Sequence, residues 1–270
     1  MKVGDQIALR KAFGDALVEL GQSDPNVLVL DADVSTSTQT VLFRDAFPDR
    51  FYQIGIAEQN MVGIAAGLAT MGFTPFVSTF VVFLARRAAD QIAISVAYPK
   101  LNVKINGSYG GLPTGKAGAT HAAFEDIAIM RAIPNMQIFV PADAVETRQA
   151  VFAAAEIDGP VYIRTVRCEV PVIFDESYKF MPGKAVTLRE GADVTIISTG
   201  MMTAKALDAV NQLGEDGISA GLIHMSTIKP IDEEAIVAAA SKTGRIVTVE
   251  NHSIIGGLGG AVAEALCERR

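Results

Sequence analysis

The chain contains no tryptophan, only two cysteines and only three histidines. Cys168 and Cys267 form no CxxC pair, and two thiols do not make a disulfide framework. His121, His224 and His252 stand far apart, with no HExxH or paired-ligand spacing. That pattern speaks against an all-protein zinc site and leaves no metal ligand to assign. Basic charge is also short: 23 Lys and Arg face 30 Asp and Glu, a net charge of −7. A general nucleic-acid binder needs a basic face, so nucleic acid is not an expected partner. Long apolar runs are scarce too. Met61 to Ala85 is free of charge and long enough to span a bilayer. Gly72, Thr74 and Pro75 interrupt it, so it reads as buried helix, turn, buried strand and the start of another helix. No membrane partner is expected. The opening MKVGDQIALRKAF carries charges where a signal peptide has its apolar stretch, so a cytoplasmic location is the expectation.

What is present is apolar and ordered. Of 270 residues, 50% are hydrophobic and 20% charged, which excludes disorder and suits one large or two modest domains. Short apolar runs recur at Asn26–Asp31, Tyr52–Ile56, Phe73–Ser78, Leu101–Ile105, Gln137–Val140 and Val161–Thr165. Helical patterns separate them, at Gln6–Leu20, Glu58–Met71, Phe80–Ala97, Glu125–Ile133 and Asp143–Ile157. Continuous apolar strands alternating with helices predict an α/β fold with a parallel sheet covered on both faces. FDESYKFMPG, from Phe174 to Gly183, mixes charge, aromatics, Pro and Gly as a linker would. The expected organisation is therefore a first domain over 1–175, a linker over 176–188 and a smaller α/β unit over 189–270. The second unit stops at CERR after a helix, where such a unit would close its sheet with one more strand.

Two glycine-rich stretches resemble nucleotide loops without completing them. GGLPTGK, from Gly110 to Lys116, is followed by Ala117 where a phosphate loop needs Ser or Thr. It reads as a mobile Gly-rich loop after a strand. GGLGG, from Gly256 to Gly260, lacks the third glycine of a dinucleotide fingerprint. It reads as close helix–strand packing or a backbone anion nest. More specific is a set of residues at the carboxyl ends of the first domain's strands, the edge at which open α/β sheets bind ligands. That edge carries Asp31, Asp33, Glu58, Thr79–Phe83, Tyr109–His121 and Arg167.

GIAEQNMVGIAAGLATMGFTPFVSTFVVF resembles the pyrimidine-binding domain of transketolases, which are thiamine-diphosphate enzymes. GATHAAFEDIAIMRAIPNMQIFVPAD is similar to that domain's substrate loop and following helix. MSTIKPID and TVENHSIIGGLGGAVAE are similar to the transketolase C-terminal domain. The resemblance covers essentially the whole chain and is closest to the C-terminal, or beta, subunit of a split two-chain transketolase. It implies transfer of a two-carbon ketol unit between a ketose, phosphorylated in the usual case, and an aldose. It also implies thiamine diphosphate and Mg2+ as cofactors. The family's GDG motif, which holds diphosphate and magnesium, is missing from this sequence. The implied partner is a separate N-terminal subunit carrying that motif, in an α2β2 assembly with the active site at the interface.

The resemblance also assigns residues. Glu58 matches the catalytic glutamate, whose carboxyl bonds the pyrimidine N1′ and promotes the imino tautomer that deprotonates C2. Phe80 and Phe83 match the aromatics that pack on the aminopyrimidine, and Asp33 and Ile56 fall near the cofactor. Arg86 falls where the family often has an aromatic or small residue, and its side chain is expected to point away from the ring. Arg10, Ser37 and Arg167 align with residues holding the substrate's terminal phosphate; arginine suits this because its fork grips anions bidentately. His121 matches a histidine at the substrate oxygens near the reacting carbons, a catalytic position.

The substrate loop departs from the family pattern. Tyr109 stands where a His is common, Lys116 where a Glu is, and Ala117 where an Asp reads a donor hydroxyl. Loss of a hydrogen bond to a buried hydroxyl shifts selectivity strongly, so a non-standard sugar is expected: branched, deoxy or sulfonated. Two other readings stay open from the sequence. One is the beta subunit of a 2-oxo acid dehydrogenase-type thiamine enzyme. The other is a transketolase-like subunit kept for assembly.

Overall fold

The structure, a computed structural model, describes residues 1–269. The chain begins with β1 (Gln6–Ala8), α1 (Leu9–Ser23), β2 (Val27–Asp31), α2 (Ser35–Thr38), α3 (Val41–Ala46) and β3 (Phe51–Gln53). Next come α4 (Glu58–Thr70), β4 (Thr74–Phe80), α5 (Val81–Arg87), α6 (Ala89–Gln91) and β5 (Lys104–Ser108). α7 (Asp126–Ala132), β6 (Gln137–Phe139), α8 (Ala144–Glu156), β7 (Val161–Arg164) and β8 (Glu169–Pro171) follow. The last part holds β9 (Val186–Arg189), β10 (Val194–Ser198), α9 (Met202–Glu215), β11 (Ala220–His224), β12 (Thr227–Lys229), α10 (Glu233–Thr243), β13 (Ile246–Val249) and α11 (Leu258–Glu268).

The large sheet runs β12-β6-β7-β5-β4-β2-β3, and every pairing in it is parallel except that of β12. β2 and β4 are buried along their whole length, as strands sandwiched between helices must be. One face packs on α1, α3 and α8 through Phe13, Leu17, Phe43 and Val151. The other packs on α4, α5 and α7 through Met61, Leu84 and Met130. A second sheet runs β13-β10-β11-β9, parallel but for the edge strand β9. Among the described residues, no helix is long and apolar enough to cross a membrane.

Several features were not expected from the sequence. The start of the predicted first helix is a strand, because β1 pairs antiparallel with β8. The helix expected over Phe80–Ala97 begins only at Val81, breaks at Ala88 and becomes π-helical over Ile92–Ala97. β5 lies three residues later than the apolar pattern placed it. Its buried polar residues explain the shift. Lys104 Nζ donates to the Ile157 and Gly159 carbonyls, and Asn106 Nδ2 donates to the Ser78 and Ser108 hydroxyls. Buried polar groups are tolerated once bonded, and hydrophobic patterning does not see them.

The second unit is not merely tethered to the first. β12 joins the large sheet by pairing with β6. Ile197, Ile223, Ile236 and Leu258 belong to the same apolar cluster as Met61 and Leu84. The Phe174–Gly183 stretch is packed as well: Phe174 stacks on Tyr178 at 3.9 Å, and Phe180 meets Phe139 edge-on at 5.0 Å. The Tyr178 hydroxyl donates to Glu146 on α8, and the same Glu146 bonds His224 of β11.

Candidate functional site

The carboxyl ends of β2, β4, β5 and β7 converge on a cluster of aromatic and charged groups. Phe80 ends β4, and Phe83 follows one helical step along α5. Tyr109 comes directly after β5 with φ of +69°, a conformation that non-glycine residues adopt at a cost in strain. Its ring stacks on Phe80 with centroids 4.4 Å apart. His121 stands edge-on to Phe80 and Phe83, at 5.8 and 5.4 Å. Val34, Val82 and Ala123 complete the apolar setting.

Two arginines reach the same phenol. The Arg10 and Arg167 guanidinium carbons each lie 5.6 Å from the Tyr109 ring centroid, within cation–π range. Arg10 Nη1 donates to the Tyr109 hydroxyl at 3.1 Å and to the Ser37 carbonyl at 3.0 Å. Ser37 therefore joins the group through its backbone. Arg167 Nη1 donates to the Thr114 carbonyl at 3.0 Å.

Asp31 builds the turn beneath. It is fully buried and accepts from the Val34 N–H and the Thr38 and Thr40 hydroxyls, at 2.7, 2.8 and 2.8 Å. Burial nonetheless pushes its carboxyl above the ordinary range. The turn leaves Asp33 exposed in the left-handed region, with φ of +65° and its N–H on Gln53.

Glu58 is the first residue of α4, where the helix dipole favours an acid. It is 4% exposed and lines a pocket with Ile56, Gln59, Asn60, Arg86 and Arg87. Ile56 lies open to solvent on the rim. Arg87 Nη1 bonds both Glu58 oxygens, at 3.0 and 3.2 Å. The same guanidinium lies 4.0 Å from the Phe83 ring centroid. A flat, cationic donor thus stands between a buried carboxylate and an aromatic ring. Arg86 turns instead to Glu125. The sequence draws attention to Arg86, but Arg87 is the arginine at the carboxylate. The helical spacing of Phe83 and Arg87 was the available signal, since residues four apart share a helix face. Asn251, which contacts the loop after β5, draws no attention in the sequence.

The GGLGG nest is filled from within. Glu250 accepts from the Leu258 and Gly259 N–H groups at 2.7 and 2.9 Å. The GGLPTGK loop is partly pinned, because the Thr114 hydroxyl bonds the Tyr109 and Gly111 carbonyls.

An open parallel sheet with its polar cluster at the carboxyl edge, followed by a smaller α/β unit, defines a class of ligand-binding α/β proteins. Comparison with known proteins narrows it. Residues 5–172 match the transketolase pyrimidine-binding domain, and residues 183–270 match the transketolase C-terminal domain. The chain belongs to the transketolase family. A solved structure described as a split gene transketolase, inactive beta4 tetramer, superposes with a TM-score of 0.91 at 55% identity, covering 98% of this chain and 86% of that one. The 6-deoxy-6-sulfo-D-fructose transketolase subunit of Clostridium sp. (strain MSTE9) is 46% identical over 96% of this chain and 81% of its own length. One of the subunits of the apulose-4-phosphate transketolase of Phocaeicola vulgatus is 43% identical over 98% of this chain and 85% of its own length.

Proposed function

We propose that this chain is the beta subunit of a two-chain, thiamine-diphosphate-dependent transketolase. The observation that carries the reading is the pairing of buried Glu58 with a planar donor resting on Phe83. That arrangement fits the aminopyrimidine half of the cofactor: a flat ring able to stack on an aromatic and to bond a carboxyl. When bound, thiamine diphosphate supplies a C2 nucleophile for a ketose carbonyl. Glu58 shares a proton at the pyrimidine N1′, and Phe80 and Phe83 orient the ring and exclude water. His121, edge-on to Phe80 and Phe83, meets substrate oxygens. Arg10 and Arg167 hold the terminal anionic group, with Ser37 supporting Arg10. Asp33 and Ile56 border the cofactor from the outer rim.

Among the described residues, no group of three or more His, Cys, Asp and Glu side chains is placed to hold a metal ion. Diphosphate and Mg2+ are assigned to the GDG motif, which this sequence lacks and an N-terminal partner subunit would carry, in an α2β2 assembly. Exposed Ile56, Ile64, Met71, Ile94 and Tyr98 on and beside α4 suit burial against another chain. Calorimetry with thiamine diphosphate and Mg2+ tests this, first on the chain alone and then with the N-terminal subunit. Tight binding only in the mixture is expected. Binding by the chain alone removes the need for a partner, and no binding in either case favours an assembly subunit.

The substrate is a ketose with an anionic end and a non-standard backbone. Tyr109 and Ala117 leave out groups that read ordinary donors, and the relatives named for sulfofructose and apulose phosphate work on unusual sugars. Product analysis with xylulose 5-phosphate, 6-deoxy-6-sulfofructose and apulose 4-phosphate decides the point. One of the latter two is expected to give ketol transfer roughly five- to a hundredfold more efficiently, since a lost buried hydroxyl contact is worth about 1–3 kcal/mol. Xylulose 5-phosphate turning over fastest sinks the altered-sugar reading, and decarboxylation products point to the 2-oxo acid family.

A further inference from the structure

The smaller domain reaches across to the loop that carries Tyr109 and His121, and it does so with three consecutive residues. Asn251 Nδ2 donates to the Gly110 carbonyl at 3.2 Å, and its Oδ1 accepts from the Leu112 N–H at 3.1 Å. One amide thus grips the backbone on both sides of Gly111. Gly111 has φ of +73°, and a Cβ there would lie 2.2 Å from the Asn251 amide. Glycine is required at this position both for its conformation and for the close approach. Further along, the Ser253 N–H donates to the Phe124 carbonyl at 2.8 Å. His252 Nε2 accepts from the Ile127 N–H at 3.1 Å, while Nδ1 donates to the Ser253 carbonyl at 2.7 Å. This pattern fixes the neutral tautomer.

Both ends of the Tyr109–Phe124 loop are therefore held by residues 251–253. The loop closes on itself between them, where the Gly111 N–H donates to the Ala123 carbonyl at 3.0 Å. The clamp is anchored below by Arg164, whose Nη2 donates to the Asn251 carbonyl at 3.0 Å while its other contacts go to Asp126.

We propose that the C-terminal domain sets the substrate loop through this clamp, with Asn251 as the positioning residue for Tyr109 and His121. Packing alone would need only apolar burial. Directed polar contacts to three backbone groups of one loop, and to a fourth in the first turn of α7, do something narrower: they fix the loop's register over Phe80 and Phe83. Asn251 touches neither sugar nor cofactor and acts through the loop. Its loss loosens substrate binding while leaving the Glu58 side of the site as it is. The assignment of a substrate rests on the transketolase reading; the clamp itself does not.

The experiment has two arms. In the first, hydrogen exchange is followed by mass spectrometry on the full chain alone, for wild type, Asn251→Ala, Asn251→Asp and Gly111→Ala. Asn251→Ala and Gly111→Ala are expected to speed exchange in residues 109–114 by roughly tenfold or more, with β10 and β13 unchanged. Asn251→Asp keeps the acceptor for Leu112 and is expected to fall between. In the second arm, the chain is combined with its N-terminal subunit. Asn251→Ala is expected to raise the ketose KM about tenfold, with a smaller fall in kcat through His121 and with thiamine-diphosphate affinity unchanged. Unchanged exchange in the loop overturns the clamp. So does faster exchange with an unmoved KM, or a joint fall in melting temperature and kcat without a KM effect. If wild type shows no ketol transfer, the transketolase reading fails and the exchange arm still decides the clamp.

Discussion

A Glu58→Ala variant is expected to join its partner chain normally yet lose turnover by roughly 10²- to 10⁴-fold, the usual loss when a positioned proton-handling group is removed. The fold survives because of where the released partner goes. Glu58 is 4% exposed, but Arg87 is 48% exposed, so the freed guanidinium reaches water. An ion pair this open is worth about 1 kcal/mol or less, and losing the acid in the first turn of α4 adds a cost of similar size. Glu58→Gln separates proton sharing from hydrogen bonding. It is expected to keep most of the cofactor affinity and to lose turnover nearly as fully. Arg87→Met shifts the same site the other way. Its guanidinium bonds the carboxylate and covers Phe83 in the free chain, so removing it is expected to tighten thiamine-diphosphate binding by roughly two- to fivefold. Steady-state rates and calorimetry on the assembled enzyme read all three. Unchanged turnover in Glu58→Ala removes Glu58 from the mechanism. Weaker binding in Arg87→Met shows that the guanidinium supports the cofactor instead of blocking its place.

What the sequence made legible follows from the range of the interactions. GIAEQN announced a strand-to-helix turn with an acid at the helix start, and both marks are local; Glu58 opens α4 as read. Phe80 and Phe83 are three apart and stayed together at the end of β4. Arg87 was passed over because its carboxylate partner lies 29 residues away. Asn251 was invisible for the same reason, since Gly110 is 141 residues distant. β12 has three residues, too few to show any period, and only the large sheet reveals its purpose. Lys104, Asn106 and Ser108 disguised β5, because their partners come from other strands and from the loop after α8. That strand leads directly into Tyr109, so the sheet edge beneath the site departs furthest from simple hydrophobic patterning.

The largest stability effect is expected at Asp126 and Arg164, directly beneath the loop. Arg164 ends β7 and is 3% exposed; Asp126 opens α7 and is fully buried. Two hydrogen bonds join them, at 2.8 and 3.2 Å, and the Tyr162 hydroxyl adds a third contact to Asp126 at 2.9 Å. Burial, reinforced by the Asp126 carboxylate, pushes the Tyr162 hydroxyl well above its ordinary range, so it remains a donor. Asp126→Ala strands a buried guanidinium without its hydrogen-bonded counter-ion, leaving only the more remote Glu250 charge. Arg164→Met strands the carboxylate instead. Each single change is expected to lower unfolding free energy by about 3–5 kcal/mol. The Asp126→Ala/Arg164→Met double variant removes both charges and is expected to recover a large part of that loss, giving a strongly non-additive cycle. Urea unfolding of the four proteins measures it. Single losses below about 1 kcal/mol, or additive ones, show that water screens the pair and that it does not anchor α7. A strong coupling has a consequence for the site. Arg164 also bonds the Asn251 carbonyl, so the charge pair that stabilises β7 against α7 also sets the height of the clamp. In the double variant, stability returns while that contact does not. Loop exchange then stays fast in a well-folded chain, which separates holding the domain together from holding the loop in place.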